Sequence, residues 1–201
     1  MFEIVPTNSR YVPFTQQPAC CVPTCFQMIM YRHQIPLRPA EEIGFKLGLV
    51  VHPDRKNLFY NVRVSEQKPS AGYGTRIYDP EFEPNAAFKR MKIPLLFSKK
   101  SITEIQSGEE LLNYLKNAEK NDRDILLCFN HGALINDQSK DWGHVCVFDR
   151  VVGNKIRMID PSPDQPKWKM VDPLEMYNSM QKHGEKRSAG CWEISLNQIV
   201  E

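Results

Sequence analysis

Apolar residues recur at helical spacing in the first part of the chain. Over about Cys21–Arg32 they repeat every three or four positions, and Pro23 stands where a first-turn proline is tolerated, so a buried helix is predicted. Four further segments carry helical spacing or capping signals. These predicted helices run from about Ala40 to Leu49, from Asn85 to Met91, from the cap at Ser107–Glu110 to about Glu119, and from Asp172 to His183 with Gly184 as a left-handed cap.

The helical spacing of apolar residues ends at about residue 124. From there on, runs of Val, Ile, Leu and Phe indicate strands. Residues 52–80 carry few periodic apolar positions and are predicted to form a long surface excursion. Helices followed by an antiparallel sheet indicate one α+β domain over residues 1–201, with a helical part at about 20–120 and a sheet part at about 124–201. The predicted strands are Asp124–Phe129, His144–Val152, Lys155–Ile159 and Cys191–Leu196, with a tight hairpin at Gly153-Asn154.

The composition is that of a globular protein, with 41% hydrophobic and 25% charged residues. Lys and Arg number 26 against 24 Asp and Glu, and no basic block is visible, so nucleic acid is excluded as a partner. No apolar run approaches the roughly 20 residues of a membrane span, so no membrane partner is expected. Met1–Pro6 lacks an apolar signal core, which predicts no export signal and a cytoplasmic location. The oligomeric state stays open.

Six cysteines are too few for a disulfide scaffold, so reduced thiols are expected. Cys20, Cys21 and Cys25 lie close together near the start of the first predicted helix. Free N–H groups at a helix N-terminus lower the pKa of a thiol, and Pro23 places Cys21 at or beside that end. Ordinary core or surface thiols are the alternative. The spacing of these three cysteines is not that of a zinc site, so neither a metal nor a cofactor is predicted.

A histidine and an acid are predicted to meet at one end of the sheet. His144 opens a strand behind Trp142-Gly143, and Asp160 ends the strand that returns from the hairpin. A carboxylate there can accept the second ring N–H of the histidine and fix its tautomer. The alternatives are a structural histidine and an Asp-Pro turn. Since asparagine also favours turns, Asp160→Asn is expected to change the chemistry and not the melting temperature.

The chain order of thiol, histidine and acid resembles that of papain-like cysteine hydrolases. Residues 20–33 resemble the nucleophile helix of the double-glycine peptidases that process bacteriocin leaders. A more distant resemblance, to phytochelatin synthases, rests on Pro18–Cys21, Gly143-His144, Ile159-Asp160 and Pro166–Trp168. The resemblance covers about the first 35 residues and residues 142–182. It implies a papain-like cysteine proteinase fold, in which an N-terminal nucleophile helix packs on a C-terminal antiparallel sheet.

Carried over by position, the resemblance implies a Cys-His-Asp triad. Cys21 matches the nucleophile, His144 the base and Asp160 the orienting acid, with Asp164 or Asn130 as the next candidates for the acid. Gln16 matches the oxyanion-hole glutamine, displaced by one residue. The alternative assignments are Gln17 for that glutamine and Cys20 for the nucleophile.

The implied function is cleavage of a peptide or related amide bond. Transfer of the acyl group to an amine would use the same triad, as in phytochelatin synthases. A catalytically silent peptide-binding module is the third possibility, favoured by the displaced glutamine and by Val22, which stands where these families have glycine. In each case the expected partner is a peptide or amide.

Overall fold

The computed structural model describes residues 6–70 and 72–197, so the predicted absence of a signal in Met1–Val5 lies outside the described residues. Within the described chain, no helix is long and apolar enough to cross a membrane. The helices are α1 (Cys21–Arg32), α2 (Ala40–Lys46), α3 (Pro84–Met91), α4 (Gly108–Lys120), α5 (His131–Ile135) and α6 (Pro173–His183). The strands are β1 (Val50–Val51), β2 (Arg63–Val64), β3 (Leu95–Ser101), β4 (Asp124–Asn130), β5 (Gly143–Val152), β6 (Lys155–Ile159), β7 (Trp168–Val171) and β8 (Gly190–Leu196).

A six-stranded antiparallel sheet in the order β3-β8-β4-β5-β6-β7 forms the centre of the molecule. Helix α1 packs on the face that carries Val145 and Val147, whereas α4 and α6 pack on the opposite face with Cys146 and Phe148. Successive side chains of β5 therefore alternate between two cores, as strand geometry requires. The predicted α+β class, with the N-terminal helix packed on an antiparallel sheet, is confirmed.

Two strands of the sheet were not predicted from the sequence. Strand β3 pairs with β8 and β7 pairs with β6, and each forms an edge of the sheet. Strand β3 lies within the stretch 20–120, where no strand was predicted, and Lys99 and Lys100 interrupt its apolar pattern. Such charged residues are common on edge strands because they discourage pairing with other chains.

Smaller differences concern helix ends and the segment 52–80. Helix α2 ends at Lys46, because Gly48 adopts a positive φ of 71° and turns the chain toward β1. Gly184 has φ 84° and ψ 154°, so it ends α6 in a different conformation from the predicted left-handed cap. The surface excursion contains a 3₁₀ helix at Pro53–Leu58 and the strand β2, which pairs in parallel with β1 just before the excursion.

The end of the β5–β6 hairpin meets the start of α1. The register pairs Val147 with Ile159, so that Asp160, which follows Ile159, lies level with Cys146 and close to the beginning of β5. The backbone N–H of Gln16 donates to the carbonyl of Pro161 at 2.8 Å. This hydrogen bond joins the segment before α1 to the segment after β6, and it brings the first turn of α1 to the sheet end where His144 lies.

Candidate active site

Of the three N-terminal thiols, Cys21 alone lines the cleft at the end of the sheet where His144 lies. Cys21 is the first residue of α1 and is half-buried, with Cys20 as the N-cap. Cys20 is fully buried, and burial raises the pKa of its thiol to about 12. Cys25 is also fully buried, and its Sγ donates to the carbonyl of Val145 at 3.4 Å. The geometry therefore places Cys21, and neither Cys20 nor Cys25, where a substrate can reach it.

A turn in front of α1 presents this cysteine. The N–H of Cys20 donates to the carbonyl of Gln17 at 3.0 Å, and Ala19 between them has a φ of 63°. The left-handed region is unfavourable for a residue with a Cβ, by about 1–2 kcal/mol. The turn therefore holds a strained residue directly before the cysteine pair.

His144 and Asp160 form a buried hydrogen-bonded pair. The ring Nε2 of His144 lies 2.8 Å from Oδ1 of Asp160, which also accepts the backbone N–H of Ser162 at 2.9 Å. The second oxygen, Oδ2, forms an ion pair with Nζ of Lys169 at 2.8 Å. Burial alone would raise the pKa of this carboxyl, but the contacts with His144 and Lys169 hold it well below its usual range. Asp160 is therefore an anion at neutral pH.

The His144 ring lines the same cleft as Cys21. Because Nε2 faces Asp160, the other nitrogen, Nδ1, is not engaged by that carboxylate. Burial would lower the pKa of His144, but the neighbouring Cys146, Asp160 and Cys21 raise it well above its ordinary value. The protein thus favours an imidazolium next to Cys21, and an imidazolium stabilises a thiolate.

Gln16 lies on the cleft wall with Cys21 and His144, whereas the exposed Gln17 does not line the cleft. The Oε1 atom of Gln16 is buried without a hydrogen-bond partner among the described residues. Its side-chain oxygen is therefore an unsatisfied acceptor at the cleft wall. The structure places Gln16, the preferred of the two glutamine candidates, in the same cleft as the proposed triad.

The other acid candidates are used differently. The side chain of Asn130 caps α5 through the N–H of Ala133 at 2.8 Å and donates to Asp141 at 2.7 Å. Asp164 lines the cleft as an exposed residue. Neither of them holds the buried position beside the His144 ring that Asp160 occupies.

The cleft has a volume of about 500 Å³ and runs between the sheet end and the segment 52–80. Sequence reasoning missed two polar neighbours of the His144–Asp160 pair. The Oγ atom of Ser162 lies 3.4 Å from Nε2 of His144, and Lys169 holds Asp160 from the edge strand β7. The lining residues are Gln16, Pro18, Ala19, Cys21, Val51, His52, Arg55, Lys68, Tyr73, His131, Lys140, Trp142, Gly143, His144, Ser162, Pro163 and Asp164.

His144, Cys146 and Asp160 also present three potential metal ligands within 4.8 Å of one another. Two features oppose a metal ion there. Lys169 already neutralises the free oxygen of Asp160, and burial, followed by the Asp160 charge, raises the pKa of Cys146 to about 11. A bound cation would have to displace an ammonium group and deprotonate a buried thiol. The arrangement fits a proton-transfer pair better than a metal centre.

Two further buried histidines predict a pH-dependent stability. Burial, together with the charges of His144 and of Arg187 respectively, lowers the pKa of His131 and of His183 to about 4. Between pH 6.5 and 4 the unfolded chain therefore binds more protons than the folded one, and stability falls as the pH falls. Each histidine contributes about 2 kcal/mol between pH 7 and pH 5.

The measurement is urea unfolding at these two pH values. His144, whose pKa is raised, acts in the opposite direction, so His131→Gln and His183→Gln serve to isolate each contribution. Each variant is expected to lose less stability than the wild type on acidification. If both variants lost as much stability on acidification as the wild type, the two histidines would not be neutral in the folded protein.

Comparison with known proteins identifies the fold. No family model and no curated protein matches the chain. Its structure is similar to the crystal structure of a candidate C39-like peptidase from Bacillus anthracis, with 16% sequence identity, a TM-score of 0.54, and coverage of 92% of this chain and 94% of that one. A likeness at this identity concerns the architecture. The chain has an α+β fold of the papain-like cysteine peptidase type.

Proposed function

We propose that the protein is a cysteine hydrolase that cleaves a peptide or related amide bond. One observation carries the proposal: a single cleft contains Cys21, at the start of a helix, and His144, whose ring is fixed by the buried Asp160. A nucleophile, a base and an orienting carboxylate are the groups that acyl transfer requires. The similarity in fold to a candidate C39-like peptidase supports this proposal.

In the proposed reaction, the Cys21 thiolate attacks the substrate carbonyl carbon, and the imidazolium of His144 later gives its proton to the leaving amine. The Gln16 amide and the N–H of Cys21 donate to the oxyanion. Water then attacks the thioester while His144 accepts its proton, which releases the acid and restores the thiolate. Asp160 remains an anion throughout and stabilises the charged imidazole.

Of the two features that favour a silent module, Val22 is still relevant in the structure. It packs in the core with α1 and also lines a small cleft together with Cys21 and His144, where glycine would leave more room beside the thiol. Gln16 reaches the cleft wall despite its displacement in the sequence. Transfer to an amine uses the same groups as hydrolysis, and the two reactions are distinguished by adding an amine acceptor and identifying the product by mass spectrometry.

The proposal is tested by the pH dependence of alkylation together with a Gln16 variant. Iodoacetamide is expected to label Cys21 rapidly well below pH 8.5, the region where an unassisted thiol becomes reactive. Gln16→Ala should leave this labelling unchanged and lower the turnover of an activated 4-nitrophenyl ester by about 100-fold, since one oxyanion donor is lost. Gln17→Ala is the matched control and should retain the turnover. A Cys21 that reacts only above pH 8.5 would argue against the triad.

A further inference from the structure

The mouth of the cleft is rich in basic side chains. Arg55, Lys68 and Lys140 line it, against one acid, Asp164. Lys140 lies 3.9 Å from the carboxylate of Asp137 and is partly neutralised. Neither Arg55 nor Lys68 forms an ion pair with any residue in the ranges 6–70 and 72–197. Two exposed cations are therefore available at the entrance.

A series of ring contacts connects Lys68 to the proposed triad. The Lys68 ammonium lies over the ring of Trp142, 5.7 Å from its centroid. Trp142 stacks on His131 at 5.7 Å, and His131 meets the His144 ring at 5.1 Å. The ammonium is therefore within the length of about five residues of an extended peptide from His144.

The segment that carries these cations is packed against the cleft. A Cβ atom on Gly72 would lie 3.0 Å from the Cβ of Trp142, so the backbone of this segment contacts Trp142 closely. The Tyr73 hydroxyl donates to the carbonyl of Ser65 at 3.2 Å, and its ring meets His52 edge-on at 5.7 Å. The loop that carries Lys68 is thus tied to the helical turn that carries Arg55.

We infer that Arg55 and Lys68 select peptides with acidic side chains close to the bond that is cleaved. Cations that line a cleft with low-dielectric walls attract anionic ligands and raise their local concentration. The inference rests on the proposed function, since it names the substrate class of the same site. The substrate would lie across the sheet end, with a Glu or Asp carboxylate directed to the Arg55 and Lys68 side.

The test is binding of two matched octapeptides to the full-length Cys21→Ala protein, which cannot turn them over. One peptide alternates alanine with glutamate and the other alanine with glutamine; both have blocked ends and an uncharged fluorescent dye. Fluorescence anisotropy is expected to show the glutamate peptide binding at least about fivefold more tightly at low ionic strength, with a smaller difference in added salt. Equal affinities, or no binding of the glutamate peptide, would overturn the inference.

The variants R55Q/K68Q and K116Q/K120Q remove the same charge from the cleft and from the exposed face of α4, respectively. The first is expected to reduce the preference to less than about twofold, and the second to retain it. A preference that survives R55Q/K68Q, or that K116Q/K120Q removes equally, would also overturn the inference. Iodoacetamide labelling of the wild type reports on the triad independently, so slow labelling with an intact glutamate preference would count against the proposed function alone.

Discussion

Replacing Cys21 with alanine is expected to remove all rapid alkylation at neutral pH and to lower ester turnover by about 10⁴-fold or more. The reason is positional. Cys21 lies in the cleft beside His144, while Cys20 and Cys25 are fully buried. Labelling followed by peptide mass mapping identifies the modified thiol, and thermal unfolding confirms that the variant is folded.

Cys25→Ala is the matched control for this prediction. It truncates a core side chain on the same helix and is expected to cost about 1–2 kcal/mol of stability while Cys21 still reacts. Cys20→Ala should likewise retain the labelling. Labelling that persists in Cys21→Ala and disappears in Cys20→Ala would show that the nucleophile is the N-cap residue.

Asp160→Asn is expected to slow alkylation of Cys21 at pH 6–7 and also to destabilise the fold. The first effect follows because asparagine cannot stabilise the imidazolium of His144. The second follows because Lys169, with a side chain only 15% exposed, loses its anionic partner and keeps a neutral one, the Oε1 atom of Gln165 at 2.8 Å. Removing one partner of a buried ion pair lowers the free energy of unfolding by about 3 kcal/mol. The sequence alone predicted slower alkylation with an unchanged melting temperature, and the ion pair with Lys169 changes the second part of that prediction.

The double variant Asp160→Asn/Lys169→Met separates the two effects. It removes the ammonium that has lost its counter-charge and is expected to recover part of the stability lost in Asp160→Asn, as measured by urea unfolding. The alkylation rate at pH 6–7 should stay low, because the anion beside His144 is still missing. A recovery of that rate would indicate that Asp160 supports the site only through the fold.

Local patterns were sufficient to predict the elements that carry the residues of the proposed triad. Helix α1 and strands β5 and β6 have apolar residues at clear periods, and Gly153 has the positive φ that the hairpin requires. The meeting of His144 with Asp160 followed from antiparallel pairing alone. These predictions depend on contacts between neighbouring segments, which sequence patterns record well.

The groups around the triad depend on contacts between distant segments. Strand β7 has four residues, too few to show a period, and the role of Lys169 depends on the pairing of that strand with β6. Likewise, nothing in the segment 52–80 indicated that Lys68 would lie over Trp142. The polar residues around the site could therefore be identified only from the three-dimensional structure.

The position of β7 at the sheet edge has a practical consequence for handling variants. If β7 detaches, β6 becomes the new edge strand of the sheet. Four of the five residues of β6 are buried in the intact fold. An uncovered apolar edge strand invites pairing between copies of the chain and aggregation. Because the Asp160–Lys169 ion pair ties β7 to the end of β6, variants at either residue are expected to give more aggregate on size-exclusion chromatography than the wild type. Activities of such variants are best compared per mole of protein that elutes at the wild-type position.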